Sequence, residues 1–128
     1  EVNPVPYLQY THARMSGIFR KATDAGLVTT TTPGDLPLLV ADEEWALVQK
    51  LRGFGQAVRR AAEQREPFEV AHYLHELASV FNAFYNRHVV LDDADPARSR
   101  ARLVLVGSAR VVLASGLRLL GIRPLEYL

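Results

Sequence analysis

The stretch DPARSRARLVLVGSARVVLASGLRLLG, residues 95–121, decides the fold predicted for this chain. Asp95 followed by Pro96 is a strong helix start, because aspartate accepts hydrogen bonds from free backbone N–H groups and the first turn tolerates proline. The segment runs to about Leu120, and Gly121 lies just past its end. Apolar residues cover nearly the whole circumference after its first two turns. A helix that is apolar all round is usually buried, so we expect this one at the centre of the fold.

Three more segments have apolar residues at helical spacing. We predict helices over Pro4–Ala25, Asp42–Gln64 and Glu66–Arg87, with a surface loop over Val28–Leu39. No segment favours a strand. The sequence therefore predicts an all-α bundle of four to five helices that forms a single domain, residues 1–128.

Polar residues at the helix starts refine these boundaries. Asn3 and Asp42 are the predicted N-caps of the first and second helices. The second helix has an apolar stripe that begins at Trp45, and Gly53 and Gly55 weaken this helix locally. The third helix is the most aromatic segment of the chain.

The composition excludes several classes of protein. The 128 residues include no cysteine, which rules out disulfides and thiolate metal sites and suits a reducing cytoplasm. No apolar stretch is long enough to span a bilayer, so we expect no membrane partner. The net charge is only +1, yet 13 of the 15 basic residues are arginine, which suits phosphate binding and base stacking. Because the chain begins at Glu1 and not at Met, we expect a piece of a longer chain or a processed one.

The sequence contains no catalytic constellation, so we expect no catalytic residue, no metal and no cofactor on this chain. The pair Gly53 and Gly55 lies inside a predicted helix and lacks the further glycine and lysine of a phosphate-binding loop. His72 and His75 are three residues apart, but a third metal ligand is not evident, which favours ordinary helix-surface histidines. For His12 we weigh a phosphate or base contact against a hydrogen bond to the backbone of a neighbouring helix, and favour the latter.

Aromatic residues and arginines remain as candidate binding residues. Tyr7, Tyr10 and Arg14 fall at positions i, i+3 and i+7, so they share one helix face. Phe81 and Tyr85 lie near the end of the third helix. Single-stranded RNA loops need such groups, because unstacked bases stack on rings and guanidinium planes. The alternative is that these rings are simply core, which periodicity favours for Phe81 and leaves open for the three tyrosines.

Three blocks, in order and covering nearly the whole chain, resemble one family. They are NPVPYLQYTHAR (3–14) with IFRKA (18–22), YLHELA (73–78) with FNAFYN (81–86) and VL (90–91), and residues 98–105 with VLASGLRLLGI (112–122). Together they resemble the anticodon-binding, or DALR, domain of arginyl-tRNA synthetases. The stretch that matches the domain's common name reads Ala101-Arg-Leu103.

The resemblance implies a helix bundle that docks the anticodon stem and loop of arginine tRNA. It also implies that ATP-dependent activation of arginine occurs in a separate upstream domain, whose class I signature motifs are missing from this sequence. The residues that match the family's tRNA-contacting positions are Tyr7, Tyr10, Arg14, Phe81 and Tyr85, and the C-terminal Leu128 would lie near the same loop.

The sequence departs from the family pattern at three places. Thr11 stands where the family usually has alanine, Pro6 where an aromatic is common, and Glu126-Tyr-Leu128 where the chain typically ends Glu-Arg-Met. The leading hypothesis is the tRNA-binding domain of an arginyl-tRNA synthetase. The second is a free-standing or paralogous version that binds tRNA or a protein in another pathway, and the third is a structural bundle with no RNA role.

Overall fold

A computed structural model describes residues 4–27 and 33–128, and these residues form an all-α bundle. Its five α-helices are α1 (Pro4–Asp24), α2 (Asp42–Arg52), α3 (Phe54–Gln64), α4 (Phe68–Arg87) and α5 (Pro96–Leu119), with a short 3-10 helix at Pro33–Leu38 between α1 and α2. The all-α bundle predicted from the sequence is confirmed. The proposed Asn3 cap and residues 28–32 of the predicted loop lie outside the described residues.

Helix α5 has the central position that its sequence predicts. The Asp95 side chain accepts a hydrogen bond from the Arg98 backbone N–H at 3.2 Å, and the chain leaves the helix through Gly121, which has a φ of +74°. The helix contacts α1, α2, α4 and the 3-10 helix. Its Leu103, Leu113 and Leu117 side chains are almost completely buried. The central part of α5 is therefore buried, although its Val111 and Leu119 side chains remain exposed.

The prediction of one continuous second helix is wrong, because residues 42–64 form two helices, α2 and α3, that meet at Gly53. The backbone N–H of Gly53 bonds to the Lys50 carbonyl, and the Tyr73 hydroxyl donates to the same carbonyl at 2.6 Å. Tyr73 on α4 thus gives the Lys50 carbonyl, in the last turn of α2, a second hydrogen-bond donor. The break lets both α2 and α3 pack against α4.

Two local predictions for α2 also need correction. Its N-cap is Ala41 and not Asp42, and the Glu44 carboxylate accepts the Ala41 backbone N–H at 3.0 Å. Trp45 does not lie on the buried side, since 53% of it is exposed. The fully buried apolar residue of this helix is Leu47.

Charged side chains join the loops to the helices. The buried Glu44 carboxylate also accepts a hydrogen bond from Arg102 Nε at 2.8 Å, and Arg102 Nη1 donates to the Val89 carbonyl at 2.8 Å. Arg102 is the arginine of the Ala-Arg-Leu stretch, so in this chain it ties α5 to the start of α2 and to the loop after α4. Asp35 anchors the 3-10 helix to α5 through Arg100 Nε at 3.0 Å. Within residues 34–39, whose burial the structure describes, the predicted surface loop therefore contains one buried, paired residue.

No helix in the described part of the chain has a stretch that is both long and apolar enough to cross a membrane. Within residues 4–27 and 33–128, no three His, Cys, Asp or Glu side chains are arranged to hold a metal ion.

Candidate nucleic-acid interface

A column of stacked side chains runs from the core to the surface between α1 and α4. Phe81 is completely buried, and its ring lies 6.1 Å from the ring of Tyr85 at an interplanar angle of 26°. The guanidinium carbon of Arg14 lies 4.4 Å from the centre of the Tyr85 ring and 5.0 Å from that of Tyr10. Tyr10 is 41% exposed and forms the outer end of the column. A guanidinium between two rings is stabilised by their electron-rich faces.

Hydrogen bonds fix the guanidinium of Arg14 within this column. Arg14 Nη1 donates to Asn82 Oδ1 at 2.7 Å, and Arg14 Nη2 donates to the Tyr10 hydroxyl at 3.1 Å. Asn82 Nδ2 in turn donates to the Tyr7 hydroxyl at 3.2 Å and to Thr11 Oγ1 at 3.1 Å. Asn82 therefore links three side chains of α1 to α4.

The C-terminal tail, residues 121–128, lies along α1. Three α1 side chains hold its backbone carbonyls: Gln9 donates to Arg123 at 2.9 Å, His12 to Leu125 at 2.6 Å and Arg20 to Glu126 at 2.8 Å. Because a carbonyl only accepts, Nδ1 of His12 carries the proton in this contact. The guanidinium carbon of Arg20 also lies 4.0 Å from the centre of the Tyr127 ring. The tail thereby brings Tyr127 and Leu128 beside the column.

The column and the tail together border one open groove. It is lined by Tyr10, Ala13, Arg14, Gly17, Ile18, Arg20, Lys21, Tyr85, Tyr127 and Leu128. Of these described lining residues, three are cationic, three are tyrosines and none has an acidic side chain. Such a groove suits a polyanion that has exposed rings, because rings stack on tyrosine and phosphate oxygens pair with Arg and Lys.

Two acidic side chains away from the groove, Glu43 on α2 and Glu76 on α4, are paired with basic side chains. Glu43 lies 2.7 Å from His88 Nε2 and 3.0 Å from Arg87 Nη1, and the hydrogen bond to His88, with help from Arg87, holds the pKa of Glu43 below its usual value. Lys50 bonds to Glu76 at 2.5 Å and lowers the pKa of that carboxyl in the same way. These acids are therefore ionised partners of nearby cations, away from the groove.

The structure brings four of the six sequence-predicted binding residues to the groove, namely Tyr10, Arg14, Tyr85 and Leu128. Tyr7 is half-buried, bonds to Asn82 and packs its ring 5.5 Å from that of His75. Phe81 lies in the core, as its spacing alone favours, so it supports Tyr85 and has no surface for a base. The contacts of all six residues with RNA stay predictions.

The histidines have structural partners. His12 is buried and bonds to backbone, as favoured, although the acceptor belongs to the C-terminal tail and not to a helix. His72 pairs with Glu76 at 3.5 Å on the surface of α4.

Sequence reasoning missed the importance of Asn82 and Arg20. Asn82 stands inside the quoted FNAFYN block, but its partners on α1 are 68 to 75 positions away in the chain. The partners of Arg20 lie more than 100 positions away. Two of the three departures noted in the sequence were the available signal, because Thr11 contacts Asn82 and Tyr127 contacts Arg20.

A helical bundle with a cationic, aromatic groove is typical of a nucleic-acid-binding class of domain, and comparison with known proteins gives its family. The chain matches the model of the DALR anticodon binding domain over residues 8–128, and it belongs to that family.

Its relatives include the arginine–tRNA ligases of Desulforudis audaxviator, 45% identical over 129 residues, and of Listeria monocytogenes serotype 4a, 42% identical over 124 residues. Each match covers 97% of this chain and 22% of the relative. The Thermus thermophilus arginyl-tRNA synthetase structure superposes with a TM-score of 0.82 at 38% identity, covering 96% of this chain and 21% of that one. The chain thus spans about a fifth of the length of the relatives it matches.

Proposed function

We propose that this chain is the anticodon-binding domain of an arginyl-tRNA synthetase and that it docks the anticodon stem and loop of arginine tRNA. The observation that carries the proposal is the groove bordered by Tyr10, Arg14, Tyr85 and the C-terminal tail. Its rings offer stacking surfaces for unpaired bases, and its cations offer partners for the loop phosphates. The family and the names of the relatives support the same assignment.

In this proposal the chemistry belongs to another part of the parent protein. ATP-dependent joining of arginine to tRNA takes place in a catalytic domain that shares the polypeptide, and this chain contributes tRNA binding without a cofactor of its own. We likewise propose that the protein works in the cytoplasm, which the lack of cysteine supports.

The test is a fluorescence titration of the purified chain with an arginine tRNA transcript and a non-cognate tRNA, each at two salt concentrations. We expect tighter binding of the arginine tRNA and a steep loss of affinity with salt, because phosphate contacts release counterions. Tyr10→Ala and Arg14→Ala each weaken binding by about 1–3 kcal/mol, the usual value of a stacking contact.

The matched controls are Trp45→Ala and Arg118→Ala, which remove an exposed ring and an exposed guanidinium outside the groove. Both controls keep the affinity of the unchanged chain. Equal affinities for all four variants would refute the groove as the binding site. Equal affinity for both tRNAs would reduce the proposal to a general RNA-binding surface.

A further inference from the structure

The Thr11 hydroxyl, which does not line the groove, determines how the side-chain amide of Asn82 is oriented. Thr11 Oγ1 donates its single proton to the Tyr7 backbone carbonyl at 2.9 Å, one helical turn back. The lone pairs of the same oxygen are then what it presents to Asn82 at 3.1 Å. Only the amide NH₂ can donate there, so Nδ2 faces Thr11. The carbonyl oxygen of Asn82 consequently points at Arg14, whose guanidinium is donor-only.

We propose that Asn82 is a positioning residue for RNA binding and that Thr11 sets its orientation; this inference rests on the proposed function. Asn82 Oδ1 and the Tyr10 hydroxyl each take one N–H of Arg14, and the Tyr85 ring fixes the plane of the guanidinium. A guanidinium has five N–H groups, so the others remain available to a phosphate or a base edge, already aimed. A side chain held in its bound geometry loses less conformational entropy on binding.

The alternative for Asn82 is a purely structural link between α1 and α4. A double-mutant cycle in tRNA affinity separates the two roles, because a residue that acts through Arg14 has no effect once Arg14 is removed. Asn82→Leu keeps the size of the side chain and deletes both its donor and its acceptor. We expect Asn82→Leu alone to weaken binding several-fold, by no more than Arg14→Ala does, and to change nothing further when Arg14 is alanine. Equal effects in both backgrounds would overturn the inference.

Two variants of Thr11 change the side chain less than Asn82→Leu does and are chosen to preserve the fold. Thr11→Val preserves the branched shape and removes the hydroxyl, whereas Thr11→Ser retains the hydroxyl. We expect weaker tRNA binding for Thr11→Val, with an effect smaller than that of Asn82→Leu, and recovery to within about twofold for Thr11→Ser. If the Thr11→Val and Thr11→Ser variants bind tRNA equally well, the Thr11 hydroxyl does not orient Asn82.

A readout without RNA keeps this inference separate from the proposed function. In NMR spectra of the free chain, the Arg14 guanidinium signals should be distinct and slowly exchanging, and they should average in Asn82→Leu and Thr11→Val but not in Thr11→Ser. Averaged signals in the unchanged chain would overturn the positioning role. If Arg14 is ordered as described yet Arg14→Ala leaves tRNA affinity unchanged, the proposed function fails instead.

Discussion

Gly116→Ala tests how closely α4 and α5 approach at the centre of the bundle. A Cβ atom added at Gly116 would lie 2.5 Å from Leu74 Cδ2, 2.9 Å from Cδ1 and 3.0 Å from Cγ. Leu74 and Gly116 are both buried, so the leucine must change its rotamer or the helices must separate. Overpacking of this kind costs about 1–3 kcal/mol.

Helix propensity opposes this cost, because alanine is better than glycine by about 0.8–1.0 kcal/mol within a helix. The net expected change in unfolding free energy is therefore a loss of up to about 2 kcal/mol. For a domain of this size a loss of about 2 kcal/mol corresponds to a fall in Tm of about 8 °C, which is the upper limit expected. Thermal and urea unfolding followed by circular dichroism measure both quantities.

Two further variants identify the clash as the cause. Gly55→Ala on α3 is the matched control, since a Cβ there meets nothing within 4 Å, and it should raise stability by about 0.5–1 kcal/mol. Leu74→Ala removes the clashing atoms, at a cost of about 2–5 kcal/mol for the cavity. In that background Gly116→Ala should become stabilising by up to about 1 kcal/mol. If Gly116→Ala stabilises the unchanged chain as Gly55→Ala does, the close approach of α4 and α5 is refuted.

Two other expectations concern charged residues. Arg102→Ala leaves the buried Glu44 carboxylate without its cation, and it should lower the free energy of unfolding in urea by about 3–5 kcal/mol. The control Arg118→Ala removes an exposed arginine of the same helix and should change stability by less than about 0.5 kcal/mol. Similar costs for both variants would contradict the buried pair. The folded chain holds the pKa of Glu43 below its ordinary 4.5, so the ionised carboxylate stabilises the fold above that pH, and this stability is lost as the pH falls through the lowered pKa. The Tm difference between the unchanged chain and Glu43→Gln should accordingly shrink as the pH is lowered from about 6 to about 3, and a difference that grows in acid would contradict the assigned pairing.

Helix ends that depend on local signals were predictable from the sequence. The Asp95–Pro96 start and the Gly121 exit of α5 follow from residues within one turn of each end, and the structure has them within one residue. The break at Gly53 was foreseen only as a weak point. The Tyr73 hydroxyl bonds to the Lys50 carbonyl at this helix end, and no local pattern predicts that contact because the two residues are 23 positions apart.

The error at Trp45 concerns the first residue of the predicted apolar stripe. A continuous helix from Asp42 to Gln64 would bury one stripe along its whole length. In the structure Val48, Leu51 and Phe54 of that stripe still pack against the core, on both sides of the break. Leu47 is buried in α2 and Trp45 is left half-exposed.

The candidate site was predictable in part for a geometric reason. Positions i, i+3 and i+7 do share a helix face, but Tyr7 and Arg14 are also about 10 Å apart along the axis, at about 1.5 Å per residue. That distance places Arg14 at the groove and Tyr7 against His75 and Asn82. A shared face therefore predicts a shared side of the bundle and not a shared ligand.

The stacked column that joins the groove to the core is built from residues of two helices. Arg14 belongs to α1, whereas Asn82, Tyr85 and Phe81 belong to α4, so the position of the guanidinium depends on the spacing between these two helices. A hydrogen bond of 2.7 Å tolerates a separation of only a few tenths of an ångström before it weakens. A change that moves α1 away from α4 should therefore release Arg14 while the rest of the bundle stays folded.

The tail adds a second dependence on α1, since Gln9, His12 and Arg20 position Tyr127 from the same helix. Helix α1 thus positions Arg14 and the tail, whereas the Tyr85 ring comes from α4, so the docking of α1 on α4 sets how these groove residues lie relative to one another.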